Sequence, residues 1–430
     1  MAFMTLGEAR HLVSRTGLGA EWTAIKQLEG RSRQEAVDSI LNQPPAGLLR
    51  PPALTPWFRL EPMRLADLQN RNTAWTIAQG EGKRLQAWWI EQMLLTKTPF
   101  IERMTLFWHN HFMSSIQKTL QPSLLYKQNL LLRKYALGSF DTLLHSIARD
   151  PAMLVYLDGY QNVKAQPNEN FARELLELFT VGRGHYTQAD VKAAAQAFTG
   201  WGVDAQGNFV TQSENHSVET VTFLGKTGRF NGDDIIKILL EHPRTAERLT
   251  EKFWKTFVSS NQPNPAIIKA WAAELRQSNY NIKRLMRTIL NSDAFWAPQY
   301  RGTLVKSPVE LVIGTVRTLP YPRESTEEML NLCRLLGQEL FDAPNVKGWE
   351  GGENWINTQT LLVRTSYLAK LTRGSLNEQS SGSNAGFPNA TEAEIIDWLL
   401  PVKPLKPLPT TPGTRRLVHA LLLDPAFQVT

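Results

Sequence analysis

Acidic, amide and guanidinium side chains accompany an apolar helical stripe in residues 167–179. On a helix that turns about 100° per residue, one face is apolar and consists of Phe171, Leu175, Leu178 and Phe179. The border of that face carries Asn170, Glu174 and Glu177, at i, i+4 and i+7. Polar groups at the edge of a core are costly to bury without partners, so their position predicts a site where the core opens to solvent.

Glu169 and Arg173 lie one turn apart on a neighbouring stripe of the same helix. The acid precedes the base, which is the orientation that favours an ion pair. We therefore expect Arg173 to hold Glu169 and to leave other acids free. Two carboxylates at i, i+3, such as Glu174 and Glu177, resemble half of the ligand set of helical carboxylate metal sites, although the Glu-x-x-His form is absent.

Two histidines, His109 and His111, flank Asn110 within an aromatic run. Imidazole is a common metal ligand and the usual acid or base near neutral pH. Side chains at i and i+2 of a helix do not share a face, so both rings serve one centre only if the helix ends there. The alternative is that one ring faces the core and the other faces the surface.

A divalent metal is a possible cofactor, with the ligand set His109, His111, Glu174 and Glu177. Asp158 stands before Gly159 in a turn-rich segment. It is either a ligand or base, or a residue that stabilises the turn.

Substrate contacts are expected from a projecting turn and from a glycine-rich loop. His216 lies in the turn, and Lys347, Trp349 and Trp355 belong to the loop of residues 344–357. Tryptophan side chains can stack on a sugar ring. The alternative is that both tryptophans pin the loop onto helices.

The elements that must position these residues are mainly helices of moderate length. Strand patterns are few, and residues 208–224 predict one small β-hairpin. The fold class is therefore all-α, a mainly helical single body with a small β-hairpin and a Gly/Ser/Pro-rich C-terminal excursion. We expect a helical core domain over residues 1–372, a flexible or extended insert over 373–413, and a C-terminal helix over 414–430 that docks on the core.

The composition narrows the class of protein. The chain has 430 residues, of which 42% are hydrophobic, and its net charge of +7 mildly favours an anionic polymer or saccharide as a partner. Its basic residues are scattered, so no nucleic acid is expected.

No apolar run is long enough for a membrane span and no leader precedes the first helix, so the sequence as written indicates a soluble, cytoplasmic protein. The one cysteine, Cys333, fits an apolar helical pattern.

Several segments together resemble a bacterial family catalogued as domain of unknown function 1800. They are residues 107–112, 150–158, 167–184, 186–201, 306–311 and 343–364. The resemblance implies a possible partner from a second uncharacterised family, number 1501, whose members resemble alkaline phosphatases and sulfatases. It also implies export for many members, so the lack of a leader leaves three alternatives: a trimmed chain, export beside a partner, or residence in the cytoplasm.

Two functions remain open from the sequence. The first is an enzyme, such as a metal-dependent hydrolase or modifying enzyme, that acts on a saccharide or another anionic or ester substrate. Its catalytic set would be His109, His111, Asp158, Glu169, Asn170, Arg173, Glu174 and Glu177. The second is a non-catalytic polysaccharide-binding or assembly partner of a phosphatase-like or sulfatase-like protein, in which the same polar residues form a structural network.

Overall fold

A computed structural model of the chain describes residues 3–44, 46–59, 68–376, 386–410 and 413–430. The helices of its N-terminal part are α1 (Leu6–Thr16), α2 (Trp22–Leu28), α3 (Arg33–Leu41), α4 (Leu68–Leu95), α5 (Pro99–His111), α6 (Ile116–Thr119), α7 (Pro122–Lys134), α8 (Phe140–Ala148), α9 (Pro151–Tyr156), α10 (Asn170–Glu174) and α11 (Gln188–Ala197). The helices that follow are α12 (Gly232–Glu241), α13 (Pro243–Phe253), α14 (Pro265–Gln277), α15 (Ile282–Asn291), α16 (Asp293–Trp296), α17 (Pro308–Thr318), α18 (Thr326–Leu335), α19 (Thr358–Leu376), α20 (Glu392–Leu399) and α21 (Thr414–Leu422). The mainly helical class predicted from the sequence is confirmed.

The strands form two separate antiparallel pairs. β1 (Trp201–Val203) pairs with β2 (Phe209–Thr211), and β3 (Val221–Phe223) pairs with β4 (Lys226–Gly228). The two segments expected to form one hairpin thus belong to different sheets. Leu224 and Gly225 both have positive φ, 46° and 79°, and two such residues favour a tight turn that pairs β3 with β4 instead of β2.

Local capping explains where many helices begin. Thr5, Ser32, Thr187, Ser307 and Thr391 each accept a hydrogen bond from the backbone at the third helical position, where an acidic residue bonds back to the cap. Such reciprocal caps satisfy backbone donors that a helix start leaves unpaired. The starts of these helices are therefore determined by neighbouring residues in the sequence, whereas their packing depends on distant residues.

One continuous hydrophobic core connects the described helices. Ala9 and Leu12 of α1 are fully buried in it, and so are residues near the other end of the sequence such as Val418 and Leu421 of α21. A smaller cluster is formed by Met113, Ala343, Trp349 and Trp355. Cys333 is buried in the main core, as its apolar pattern indicated.

The C-terminal excursion contains a helix. Helix α20 lies inside the segment expected to be a flexible insert, and it buries Ile395, Trp398 and Leu399. Residues 377–385 and 411–412 of that segment lie outside the described part of the chain. Helix α21 buries Leu417 and Val418 against the body, as a docking helix requires. In the described ranges, every helix falls short of the length and apolarity needed to cross a bilayer.

Candidate functional site

The acidic helix changes its winding within the predicted stretch. Helix α10 continues into one turn of π-helix at Leu175–Phe179. Its apolar face is buried as expected, through Phe171, Leu175, Leu178 and Phe179. A π-turn inserts one residue into a helix and is frequent at functional sites. It displaces Glu177 from the position that a regular helix would give it relative to Glu174.

The predicted ion pair at the start of this helix is present. Arg173 Nη2 lies 2.6 Å from Glu169 Oε2, and Gln188 Nε2 donates to the same oxygen at 2.8 Å. At this partial exposure an i, i+4 pair contributes about 0.3–0.5 kcal/mol. Glu169 is therefore engaged in a structural contact.

Glu177 is also engaged. Its Oε1 accepts from Arg183 Nε at 2.6 Å, and its Oε2 accepts from the Tyr186 hydroxyl at 3.0 Å. The main-chain oxygen of Glu177 accepts a hydrogen bond from Arg248. Both carboxylate oxygens and the backbone of this residue are thus fixed in place.

Glu174 differs from these acids because its carboxylate has no hydrogen-bond or ion-pair partner in the described part of the chain. The side chain is half-buried. Burial raises the pKa of Glu174, the charge of Glu177 raises it further, and Arg173, Lys347 and Arg183 act in the opposite direction. A half-buried, unpaired acid beside a second carboxylate is suited to proton transfer.

Tyr156 lies near both Glu174 and Asp342. Burial raises the pKa of Tyr156 to about 12, and the nearby charges of Asp342 and Glu174 add to that shift. Burial also raises the pKa of Asp342, with Glu339 adding to the shift and hydrogen bonds from Gln117 opposing it. We refer to Tyr156, Glu174, Glu177 and Asp342 as the acid cluster.

Asp158 and Asn170 border the acid cluster through a lysine. Asp158 Oδ2 accepts from Lys118 Nζ and from Asn170 Nδ2, each at 3.1 Å. Lys118 Nζ also lies 5.3 Å from the centre of the Tyr156 ring. Asp158 has a φ of 57°, which is uncommon for a residue other than glycine, although Asp tolerates it better than most.

His109 lies in an apolar environment, away from the acids. Its ring packs edge-on against Trp89 and Phe341, with centroid distances of 5.1 and 4.9 Å. The Phe341 N–H donates to Nε2 at 3.2 Å, while Nδ1 is buried without a partner. Burial lowers the pKa of His109 to about 3, so this ring is neutral at physiological pH.

His111 has a different environment. Its Nδ1 lies 2.6 Å from Lys252 Nζ, and its ring packs against Phe112 and Phe179. The pKa of His111 falls well below its usual value because of burial and of the nearby charges of Lys252 and Arg248. The Phe179 carbonyl oxygen, as an acceptor for the ring N–H, opposes this shift. Burial, followed by Arg248, lowers the pKa of Lys252 to about 7.

The proposed metal set is not assembled. Helix α5 continues through His111, so the two imidazoles diverge, as i, i+2 geometry requires. In the ranges that the structure describes, no three His, Cys, Asp or Glu side chains come together to hold a metal ion. The ligand combination His109, His111, Glu174 and Glu177 is therefore corrected: Glu174 and Glu177 are neighbours, but the four side chains do not come together as one set.

The residues expected to contact substrate differ in how far they are exposed to solvent. His216 is partly buried, with Nδ1 2.8 Å from the Thr199 carbonyl oxygen. Lys347 is exposed, and its charge acts on Glu174. Trp349 and Trp355 are buried in the smaller cluster, so the alternative reading, in which tryptophans pin the loop, describes their position.

Asn110 holds that loop in place. Its Oδ1 accepts from the Trp349 N–H at 2.7 Å, and its Nδ2 donates to the Trp349 carbonyl at 3.0 Å. Gly348 has a φ of 78°, and a Cβ there would collide with Asn110. These contacts position the loop that brings the charge of Lys347 near Glu174.

Sequence reasoning missed five residues of this region: Asn110, Lys118, Tyr156, Lys252 and Asp342. Tyr156 stands two residues before Asp158, beside the turn-rich segment that contains Asp158 and Gly159. Lys118 and Lys252 carry no local signal, because a lysine on an amphipathic helix is normally a solvated residue. Asp342 depends on the path of a loop far away in sequence.

Comparison with known proteins identifies the family of the chain. A family model described as "Protein of unknown function (DUF1800)" matches residues 11–429. No curated protein and no solved structure matches the chain significantly.

Proposed function

We propose that this chain, which belongs to the DUF1800 family of proteins of unknown function, is a hydrolase or modifying enzyme in which Glu174 transfers a proton to or from an anionic saccharide or ester. The observation that carries the proposal is the unequal pairing of the acids. Asp158, Glu169 and Glu177 each accept hydrogen bonds from neighbouring side chains, whereas Glu174 has none within the described residues. The acid that is left unpaired is the one available for chemistry.

The electrostatics of the acid cluster suit a general acid. The pKa of Glu174 is raised by burial and by Glu177, so a larger fraction of this carboxyl keeps its proton near neutral pH. Arg183 and Tyr186 donate to Glu177 and stabilise its negative charge. Two neighbouring acids with different surroundings can thus take different roles in one reaction.

The charge around the cluster supports an anionic substrate. Lys118 and Lys347 are exposed near Tyr156 and Glu174, and Arg183 is exposed beside Glu177. Cationic groups at the edge of a site raise the local concentration of anions. Carboxylic acids in neighbouring positions serve glycosidic cleavage in many enzymes, and proton transfer to a leaving alcohol is equally required for an ester.

The test is a substrate screen of the purified protein with neutral and anionic chromogenic glycosides and esters. Glu174→Gln should reduce turnover by about 10²–10⁴-fold, the usual contribution of a general acid or base. Glu274→Gln is the control, since Glu274 lies on α14 and pairs with Arg284 at 3.2 Å. Wild-type turnover should fall as the pH rises through the elevated pKa of Glu174, if Glu174 acts as an acid.

Two outcomes contradict the proposal: wild-type protein without turnover on the whole panel, or a Glu174→Gln variant as active as the control. The non-catalytic alternative then becomes the working hypothesis. It requires that anionic oligosaccharides, or a protein of the 1501 family, bind wild type and Glu174→Gln equally well in a calorimetric titration.

A further inference from the structure

A small cavity of about 30 Å³ lies between α1, α17 and the C-terminal segment. Three cations and one acid line it: Arg10, Arg103, Lys306 and Glu310. It is separate from the acid cluster, with which it shares no residue. Arg10 and Arg103 are buried, whereas Lys306 and Glu310 are partly exposed. This excess of cationic side chains needs a physical explanation, because a buried charge without a partner is costly.

The nearby guanidinium groups donate to protein atoms through their terminal nitrogens, although the Nε atoms of Arg15, Arg103 and Arg364 have no partner among the described residues. Arg15 donates to the carbonyl oxygens of Phe257, Val258, Tyr300 and Thr430. Arg103 pairs with Glu310 and donates to the Gly17 carbonyl. Arg364 donates to the Lys306 carbonyl at 2.9 Å and to Gln428 Oε1 at 3.3 Å. Glu310, the acidic side chain that lines the cavity, is therefore already taken by Arg103, and the main-chain oxygen of Thr430, which also lines it, is taken by Arg15.

Arg10 and Lys306 are not satisfied in this way. Arg10 is 3% exposed, its Nε is buried without a partner, and no described residue accepts a hydrogen bond from its guanidinium. The contact found for the Lys306 ammonium is the Phe427 ring, 3.6 Å from its centroid. Burial and like-charged neighbours lower the pKa of Arg10 to about 9 and that of Lys306 to about 7. The charge of Asp397 opposes the shift of Arg10, and the charge of Glu310 opposes that of Lys306.

We propose that this cavity is a binding site for a small monovalent anion, with chloride as the ligand and with Arg10 and Lys306 as the groups that hold it. The ion would accept hydrogen bonds from the Arg10 guanidinium and the Lys306 ammonium. It would offset the surplus positive charge that Glu310 leaves uncompensated.

The size of the cavity selects among anions. A cavity needs a volume of about 10–15 Å³ to hold one water molecule. The volume of about 30 Å³ therefore admits one or two water molecules or one monatomic ion. Phosphate and sulfate carry four oxygens around a central atom and require more room. The site therefore discriminates by volume as well as by charge.

The test compares chloride with gluconate, which is too large for the cavity, at constant ionic strength. Thermal unfolding should show a saturable rise in Tm with chloride and with bromide. Crystals grown in bromide should show one anomalous peak between Arg10 and Lys306. Arg10→Gln should abolish the saturable rise, while the surface control Arg284→Gln should keep it.

The proposal is overturned if chloride and gluconate give the same Tm, if bromide is absent from the cavity, or if Arg10→Gln retains the full chloride response. Lys306→Met provides a second variant should Arg10→Gln fail to fold. The position of bromide in the wild-type crystal decides the question without either variant.

Discussion

At the scale of single residues, burial decides which titratable groups can carry a charge. His109 and Asp150 are both buried, but burial shifts them in opposite senses: the pKa of His109 falls to about 3 and that of Asp150 rises to about 7. In each case the neutral form is favoured. These shifts link the stability of the fold to pH.

His109 should make the fold sensitive to acid. Its folded pKa of about 3 lies below the usual 6.5, so between these values the unfolded chain binds one more proton and stability falls as the pH falls. Each pH unit corresponds to about 1.4 kcal/mol for one proton. His109→Gln should therefore show a smaller loss of unfolding free energy between pH 6.5 and about pH 5 in urea titrations.

The control for this experiment is Gln206→Ala, because Gln206 is exposed and its side chain has no titratable group. It should reproduce the wild-type slope. The contribution of Asp150 has the opposite sign and is common to all three proteins, so it cancels in the comparison. Equal slopes for His109→Gln and wild type would show that His109 titrates in the folded state.

Residue-level prediction from sequence succeeded where the geometry is local. The Glu169–Arg173 pair follows from helical spacing alone. Helical spacing does not predict that Glu174 is unpaired, because this depends on which side chains the loop around Lys347 brings near it. Likewise, the separation of His109 from His111 required knowing that α5 continues through both residues.

At the scale of elements, one side chain joins a helix to a sheet. Asp190, at the third position of α11, accepts from the Thr187 N–H at 2.8 Å with one oxygen and from the Leu224 N–H at 2.7 Å with the other. Leu224 is in the turn between β3 and β4. The cap of α11 therefore also orients the second hairpin.

Asp190→Ala should destabilise the protein more than loss of an ordinary capping partner. Removing a cap costs about 1 kcal/mol, and leaving the Leu224 N–H without its acceptor adds about 1–3 kcal/mol if that group stays buried. Glu394→Ala is the matched control: Glu394 holds the same position in α20 and accepts from Thr391. Urea unfolding of both variants gives the comparison, and equal losses would refute the double role of Asp190.

Some helix boundaries could be predicted from the sequence, because capping depends on residues that are close together in the chain. The Thr391-x-x-Glu394 pattern is a local start signal for α20, and it was present in a segment whose Gly, Ser and Pro content indicated irregular structure. The average composition of the segment indicated irregular structure, so this short start signal was not used to predict a helix. The pairing of β2 with β1 was less predictable, since strands of three residues carry little pattern.

At the scale of the whole molecule, segments distant in sequence share one core. Trp398 is 1% exposed, packs edge-on against Trp22 and donates its Nε1–H to the Ala20 carbonyl at 2.7 Å. Helix α20 thereby fixes the N-terminal helices. The fold class could be predicted because periodicity reports helices, but this closure could not, because no local pattern records which helices meet.

Trp398→Ala should weaken the entire fold in one step. Truncation of a buried tryptophan costs about 3–5 kcal/mol, and a shared core predicts a single calorimetric transition at a lower Tm. Trp75→Ala is the control, since Trp75 is 50% exposed and should change stability little. A separate early transition in Trp398→Ala would instead show that α20 unfolds independently.

The contacts of Arg15 and Ala20 have a consequence for the protein as it is being made. Arg15 donates to Thr430, 415 positions later, and Ala20 accepts from Trp398, 378 positions later. A ribosome adds about 5–20 residues per second, so α1 emerges tens of seconds before these contacts can form. During that interval the part of α1 that packs against α20 lacks its partner, and we expect chaperones that bind nascent chains to occupy it.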